Sequence, residues 1–83
     1  MAYRETRQIA ERKRALRQRL LEAARRLVAE GGFRAVRIGA VARRAGVATG
    51  TVYRYFPSKA DLMTEVFRIA SQHELDALRE AAR

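Results

Sequence analysis

Residues 45–59 read AGVATGTVYRYFPSK. Gly46 closes one apolar pattern, and Tyr53, Tyr55 and Phe56 then crowd into four positions just before Pro57. The piece between that glycine and that proline is too short to be a stable helix alone. Its side chains therefore either pack something or touch something. Val52 and Phe56 stand at i, i+4, one side of a short helix over residues 49–56. At 100° per residue, Gly50 and Arg54 then point almost directly away, with Thr49, Thr51 and Tyr53 flanking them. The outward face carries a guanidinium fork, two hydroxyls, a phenol and one position with no side chain. At Gly50 the backbone itself can come close to a groove wall or a thymine methyl.

Upstream, Ile38, Val41, Ala42 and Ala45 recur at i, i+3, i+4 and i+7, which predicts a short helix capped by Gly46. Gly39 inside it costs about 1 kcal/mol relative to alanine. Two short helices about a Gly-Val turn describe a helix-turn-helix, whose second helix enters the major groove of DNA while the first crosses the backbone. Earlier still, Leu16, Leu20, Ala23, Ala24 and Leu27 form a helical stripe, with Arg14, Arg17, Arg25 and Arg26 largely off it. Gly31-Gly32 supplies its stop. Residues 1–15 carry Arg4, Arg7, Arg12, Lys13 and Arg14, with Ile9 as their large aliphatic. They are expected to be a basic N-terminal arm, either flexible or an extension of the first helix.

Downstream, Pro57 stops the third helix, and Ser58-Lys59-Ala60-Asp61 is a capping box opening a fourth. Lys59 sits where free N–H groups and the helix dipole favour a phosphate. Leu62, Val66 and Ile69 continue the inward stripe, while Met63, Phe67, Ile69, Leu75 and Leu78 want a surface that so short a chain barely offers. The expectation is an all-α fold: a three-helix helix-turn-helix domain over 16–57, plus the start of a fourth helix over 58–83 that connects to a domain outside this sequence. The alternative for that last helix is fraying, or pairing with a copy of itself.

Bulk composition bounds the function. The 83 residues allow one domain, contain no cysteine and offer no apolar run of membrane-spanning length. Thiolate metal sites and disulfides are therefore excluded, and the start of the chain lacks the apolar core of a secretory signal. A cytoplasmic location is the default expectation. Net charge is +9, but unevenly placed: residues 1–59 carry +11 and residues 60–83 carry −2. That asymmetry favours a polyanionic partner for the first part. Sixteen of the eighteen basic residues are arginine, whose fork pairs bidentately with phosphate and guanine. A GC-rich genome explains the same bias without function.

The stretch from about residue 20 to 66 resembles the DNA-binding domain of TetR-family regulators. The residues that carry the resemblance are Ala23-Ala24-x-x-Leu27, Ala42-x-x-Ala45-Gly46-Val47, Gly50-Thr51-Val52-Tyr53-x-Tyr55-Phe56 and Ser58-Lys59-x-x-Leu62. The resemblance implies DNA phosphate contacts at Thr51, Tyr53, Tyr55 and Lys59, and base edges against Thr49, Gly50 and Tyr53. The Arg54 position varies in the family, which makes it a specificity residue. Arg37 stands where a Ser or Thr normally caps the second helix and offers a backbone contact; arginine reaches phosphate but does not cap. Ala48 replaces another customary serine, so that Thr49 is expected to take over the third cap. Gly39 fills a slot where some members place a base-reading side chain. Arg43 and Arg44 either touch the flanking DNA backbone or form a solvated pair.

Further implications of the resemblance are double-stranded DNA as partner, with a palindromic operator, a homodimer of the full-length protein, and repression relieved by a small molecule bound in a domain outside this chain. No cofactor and no membrane partner is expected. Each residue also has a plainer reading: Tyr53 and Tyr55 as packing residues, Lys59 as a solvated lysine, the basic arm as a charged tail. His73, with no second ligand nearby, reads as solvated. Three other function classes compete. Residues 10–28 can be drawn as a basic amphipathic helix on anionic lipid, but the stripe is alanine-containing and has no Trp or Phe. An enzyme is disfavoured by a single histidine, no cysteine and no paired carboxylates in a pocket. A protein-interaction bundle would show no steep salt dependence with DNA.

Overall fold

Thr6 opens the first helix: its hydroxyl accepts a hydrogen bond from the Ile9 N–H at 3.2 Å, and α1 then runs Arg7–Gly31. The computed structural model describes residues 6–83. Residues 7–15 are thus helical and continuous with the apolar stripe that starts at Leu16, whereas Arg4 of the expected arm lies outside the described residues. Gly32 ends α1 with φ 73°, its N–H donating to the Val28 carbonyl at 2.8 Å. A short 3-10 turn follows over Phe33–Ala35, then α2 over Ile38–Ala45, α3 over Thr49–Tyr55 and α4 over Lys59–Ala81.

The caps decide where the short helices stop. At Gly46, φ 74° and ψ 36°, the chain turns left-handed. The Val47 N–H reaches the Ala42 carbonyl at 2.9 Å and the Gly46 N–H reaches Arg43 at 3.2 Å, the two bonds of a Schellman turn. Val47 then packs half-buried against the core. The expected transfer of the third cap to Thr49 does not occur. Ala48 is the N-cap and makes no side-chain bond, because Thr49 already lies inside the helix, one residue beyond the capping position. Arg37 likewise caps α2 without a side-chain bond. At α4 the Ser58 hydroxyl accepts from the Asp61 N–H at 3.1 Å and also lies 2.8 Å from the Asp61 carboxylate.

The core is assembled from one face of each helix: Leu20, Leu21, Ala23 and Ala24 of α1; Val41, Ala42 and Ala45 of α2; Val52 of α3 with Phe56 after it; Leu62, Met63 and Val66 of α4. Val36, in the link before α2, completes it. Fully burying a Leu or Val side chain contributes roughly 1.5–3 kcal/mol. Met63 belongs to this cluster, which corrects the expectation that it lacks a surface: it falls one residue after Leu62 and shares its inward side. Beyond Ile69 every residue of α4 is exposed, Leu75 at 48% and Leu78 at 67%. Phe67 leaves the core too, and meets Phe33 instead, ring centroids 5.2 Å apart and tilted by 50°. No polar or charged side chain is buried among the described residues.

Candidate nucleic-acid interface

The orientation of α3 follows from two anchors. Val52 is fully buried and Phe56 is 3% exposed. With these turned in, Thr49, Gly50, Tyr53 and Arg54 are all exposed, and Tyr53 presents about half its surface. A Cβ added at Gly50 would meet nothing within 4 Å, so the backbone there lies open on the outward side. Thr51 and Tyr55 sit at the edges of the helix, half-buried, and the Tyr55 side chain packs against the core. The four residues expected at base edges therefore share one exposed helical surface.

Neighbouring elements surround that surface with positive charge. Arg37 precedes α2 and Arg43 lies in its last turn, both exposed. Arg44 is drawn elsewhere: its guanidinium pairs with Glu30 of α1, one nitrogen donating at 2.8 Å. Arg44 is thus exposed and joined to Glu30 in an ion pair that links α2 to α1. Lys59, the first residue of α4, donates to the Phe33 carbonyl at 3.0 Å, while Phe67 holds the Phe33 ring. The ammonium is thereby fixed against the 3-10 turn and still exposed.

Acidic groups are kept away from this region. Residues 31–60 contain six basic residues and no acidic one. At the two ends of that stretch Glu30 is engaged by Arg44 and the Asp61 carboxylate by the Ser58 hydroxyl, while Glu22 and Glu65 are engaged by arginines. Glu22 is held down to about 2 by hydrogen bonds from Arg25 first and Arg26 second. Glu30 is lowered chiefly by its bond from Arg44, and Glu65 by Arg68 with a smaller contribution from Arg17. These glutamates stay charged, yet each faces its own cation rather than α3. Arg37, Arg43 and Arg54 have no carboxylate partner among the described residues, which suits a polyanion.

Two arginines of α1 position this surface without belonging to it. Arg19 donates to the carbonyl oxygen of Ala45 at the end of α2. Arg17 places its guanidinium over the Phe56 ring, 5.1 Å from the centroid, and 3.6 Å from Glu65 of α4. Lys13 and Leu16 line a concavity together with Thr51, Arg54 and Tyr55, and Arg14 lies exposed beside them in sequence. Periodicity places Arg17 and Arg19 on α1, but neither partner is near in sequence, so no local signal identifies either contact. His73 is exposed, on the rim of a groove between α1 and α4. No helix among the described residues is long and apolar enough to cross a membrane.

Comparison with known proteins agrees with this geometry. The family model described as "Bacterial regulatory proteins, tetR family" matches residues 20–66, more than half of the chain. The "HTH-type transcriptional repressor KstR" of Mycolicibacterium smegmatis is 50% identical over 54 residues, covering 65% of this chain and 26% of that protein. The repressor of the same name from Rhodococcus jostii is 55% identical over 47 residues, 57% of this chain and 22% of that one. The "Fatty acid metabolism regulator protein" of Bacillus subtilis is 36% identical over 56 residues, 68% of this chain and 29% of its own length. The chain spans about a quarter of the length of these curated relatives. The matched residues enclose all of α2 and α3 with their caps and the buried faces of α1 and α4, and the chain belongs to the tetR family of bacterial regulatory proteins.

Proposed function

We propose that this chain is the DNA-reading head of a cytoplasmic transcriptional repressor, and that its α3 face enters the major groove of double-stranded DNA. The observation that carries the reading is the division of α3: Val52 and Phe56 are buried, and Thr49, Gly50, Tyr53 and Arg54 are exposed together. In this reading those four meet base edges. Arg37, Arg43 and Lys59 neutralise phosphates, and Thr51, Tyr53 and Tyr55 donate hydroxyls to them, so that backbone contacts set the register and base contacts supply the sequence preference. Three phosphate-neutralising cations per head correspond to a log–log salt slope of about −3. No step of this mechanism needs a cofactor.

The full-length protein is proposed to act as a homodimer on a palindromic operator and to be released by a small-molecule effector. The effector would bind in sequence corresponding to the three quarters of the relatives that this chain does not span. The names of two of those relatives, both repressors, support repression over activation. A single head binds one half-site more weakly than a tethered pair, because the effective concentration of the second head is lost. Selection of the 83-residue chain against a pool of random duplexes, at two salt concentrations, tests the reading. Enrichment of one short motif or its inverted repeat is expected. Salt-sensitive binding that enriches no motif would overturn base reading by this face, and absence of binding would overturn the reading as a whole.

A further inference from the structure

The family match begins at residue 20 and so assigns nothing to the first half of α1. Two observations fix the side of α1 that faces α3. The Arg17 guanidinium lies over the Phe56 ring, which pins that side against the C-terminal end of α3. One turn earlier, Lys13 and Leu16 line an open cleft of about 430 Å³ with Thr51, Arg54 and Tyr55. Lys13 and Arg17 are spaced i, i+4, so both observations concern one face. The cleft therefore gathers an ammonium, a guanidinium and two hydroxyls around an apolar floor at Leu16, and none of its lining residues is acidic.

We propose that this cleft takes a backbone phosphate of the DNA, with Lys13 as the cation that α1 contributes. A helix seated in the major groove is flanked by the sugar-phosphate backbone. The cleft opens beside Arg54, on the edge of α3 that carries Thr51 and Tyr55. A phosphate oxygen there accepts from the Thr51 or Tyr55 hydroxyl, and its charge is neutralised by the Lys13 ammonium. Lys13 is exposed and lies about two turns into α1, so its stem reaches the cleft without disturbing the core. The inference rests on the proposed function, since it assumes that the outward face of α3 meets DNA.

The test is duplex binding by fluorescence anisotropy across a salt series, using the 83-residue chain, Lys13→Met and Lys13→Arg, each with a selected duplex and a random one. Methionine keeps the apolar stem and removes the charge. Lys13→Met is expected to weaken binding to both duplexes by the same factor. Between about 50 and about 200 mM salt the unaltered chain should lose about 3-fold more affinity than Lys13→Met, the loss of one phosphate contact. Lys13→Arg should restore both the affinity and the salt slope. If the unaltered chain binds duplex and Lys13→Met matches it in affinity and slope, this inference alone is overturned. If Lys13→Met weakens the selected duplex only, Lys13 reads a base and the phosphate role is overturned. If the unaltered chain binds no duplex, the DNA-reading proposal falls and this inference falls with it.

Discussion

The guanidinium of Arg19, midway along α1, donates to the carbonyl oxygen of Ala45, the last residue of α2. That carbonyl belongs to the last turn of α2, whose final four carbonyls have no intrahelical partner. The bond lands one residue before the left-handed Gly46, and the same guanidinium would lie 3.6 Å from a Cβ placed on that glycine. α1 thus grips the turn that sets α3 relative to α2. Arg19→Met, which keeps the stem and removes the donor, is expected to lower unfolding stability by about 1–2 kcal/mol, because it leaves a part-buried carbonyl unpaired. Urea denaturation measures this. An unchanged midpoint would mean that the carbonyl is equally well served by water.

Gly39 and Gly50 occupy equivalent second positions of α2 and α3, and a Cβ at either would meet nothing within 4 Å. Neither has a left-handed backbone. Gly39→Ala and Gly50→Ala should therefore each stabilise the free chain by about 0.5–1 kcal/mol, through helix propensity alone. Their effects on DNA should part. Gly50 lies on the surface proposed to approach the groove, so Gly50→Ala should weaken duplex binding, and Gly39→Ala should weaken it less or not at all. Paired melting curves and binding isotherms check this, and equal binding by the two variants would remove the close approach at Gly50.

Part of this architecture was legible in the sequence because it rests on local rules. Gly46 read as a cap, and it adopts the left-handed turn. Val52 and Phe56 read as the inward side of α3, and they are buried. Ser58 read as a helix cap, and its hydroxyl accepts from Asp61. Less legible was whatever depends on two elements meeting. The start of α1 was obscured because residues 7–15 offer little apolar periodicity, although Thr6 is an ordinary N-cap residue. The Arg19–Ala45 and Arg44–Glu30 links join residues 26 and 14 positions apart, and no periodicity encodes them. The same holds for Phe33, whose carbonyl orients Lys59 and whose ring meets Phe67.

Acid should unfold the chain through its paired carboxylates. Glu22, Glu30 and Glu65 are all held below the ordinary value of 4.5, Glu22 at about 2, so their contribution is present above pH 4.5 and is lost as pH falls toward 2. The melting temperature is expected to be level from neutral pH down to about 5 and to decline below that. Glu22 pairs only within α1, and exposed pairs of that kind contribute little. Glu65 is partly buried and meets Arg17 of α1, so Glu65→Gln should flatten the decline more than Glu22→Gln. A decline unaltered in the variant that combines Glu22→Gln, Glu30→Gln and Glu65→Gln would place the acid sensitivity elsewhere.

Arg54 and Lys59 separate the two kinds of contact in the proposed complex. Arg54→Ala should relax base preference at one operator position by about 1–3 kcal/mol while leaving other positions alone. Lys59→Ala should weaken every duplex to a similar degree and reduce the salt slope by about one unit. Position-resolved affinities from the selected pool, for each variant, provide the check. A uniform loss with Arg54→Ala would make Arg54 a phosphate contact, and an unchanged slope with Lys59→Ala would leave its ammonium to the Phe33 carbonyl alone.

The central claim is that the exposed side of α3 is the surface that meets DNA. Amide-resolved NMR titration of the isotopically labelled chain with its selected duplex tests it most directly. The account predicts the largest shifts along residues 49–55, with further shifts at Arg37, Arg43 and Lys59, and little change along the exposed end of α4 beyond Ile69. Shifts concentrated on the α4 end or in the groove between α1 and α4, with α3 unmoved, would contradict it.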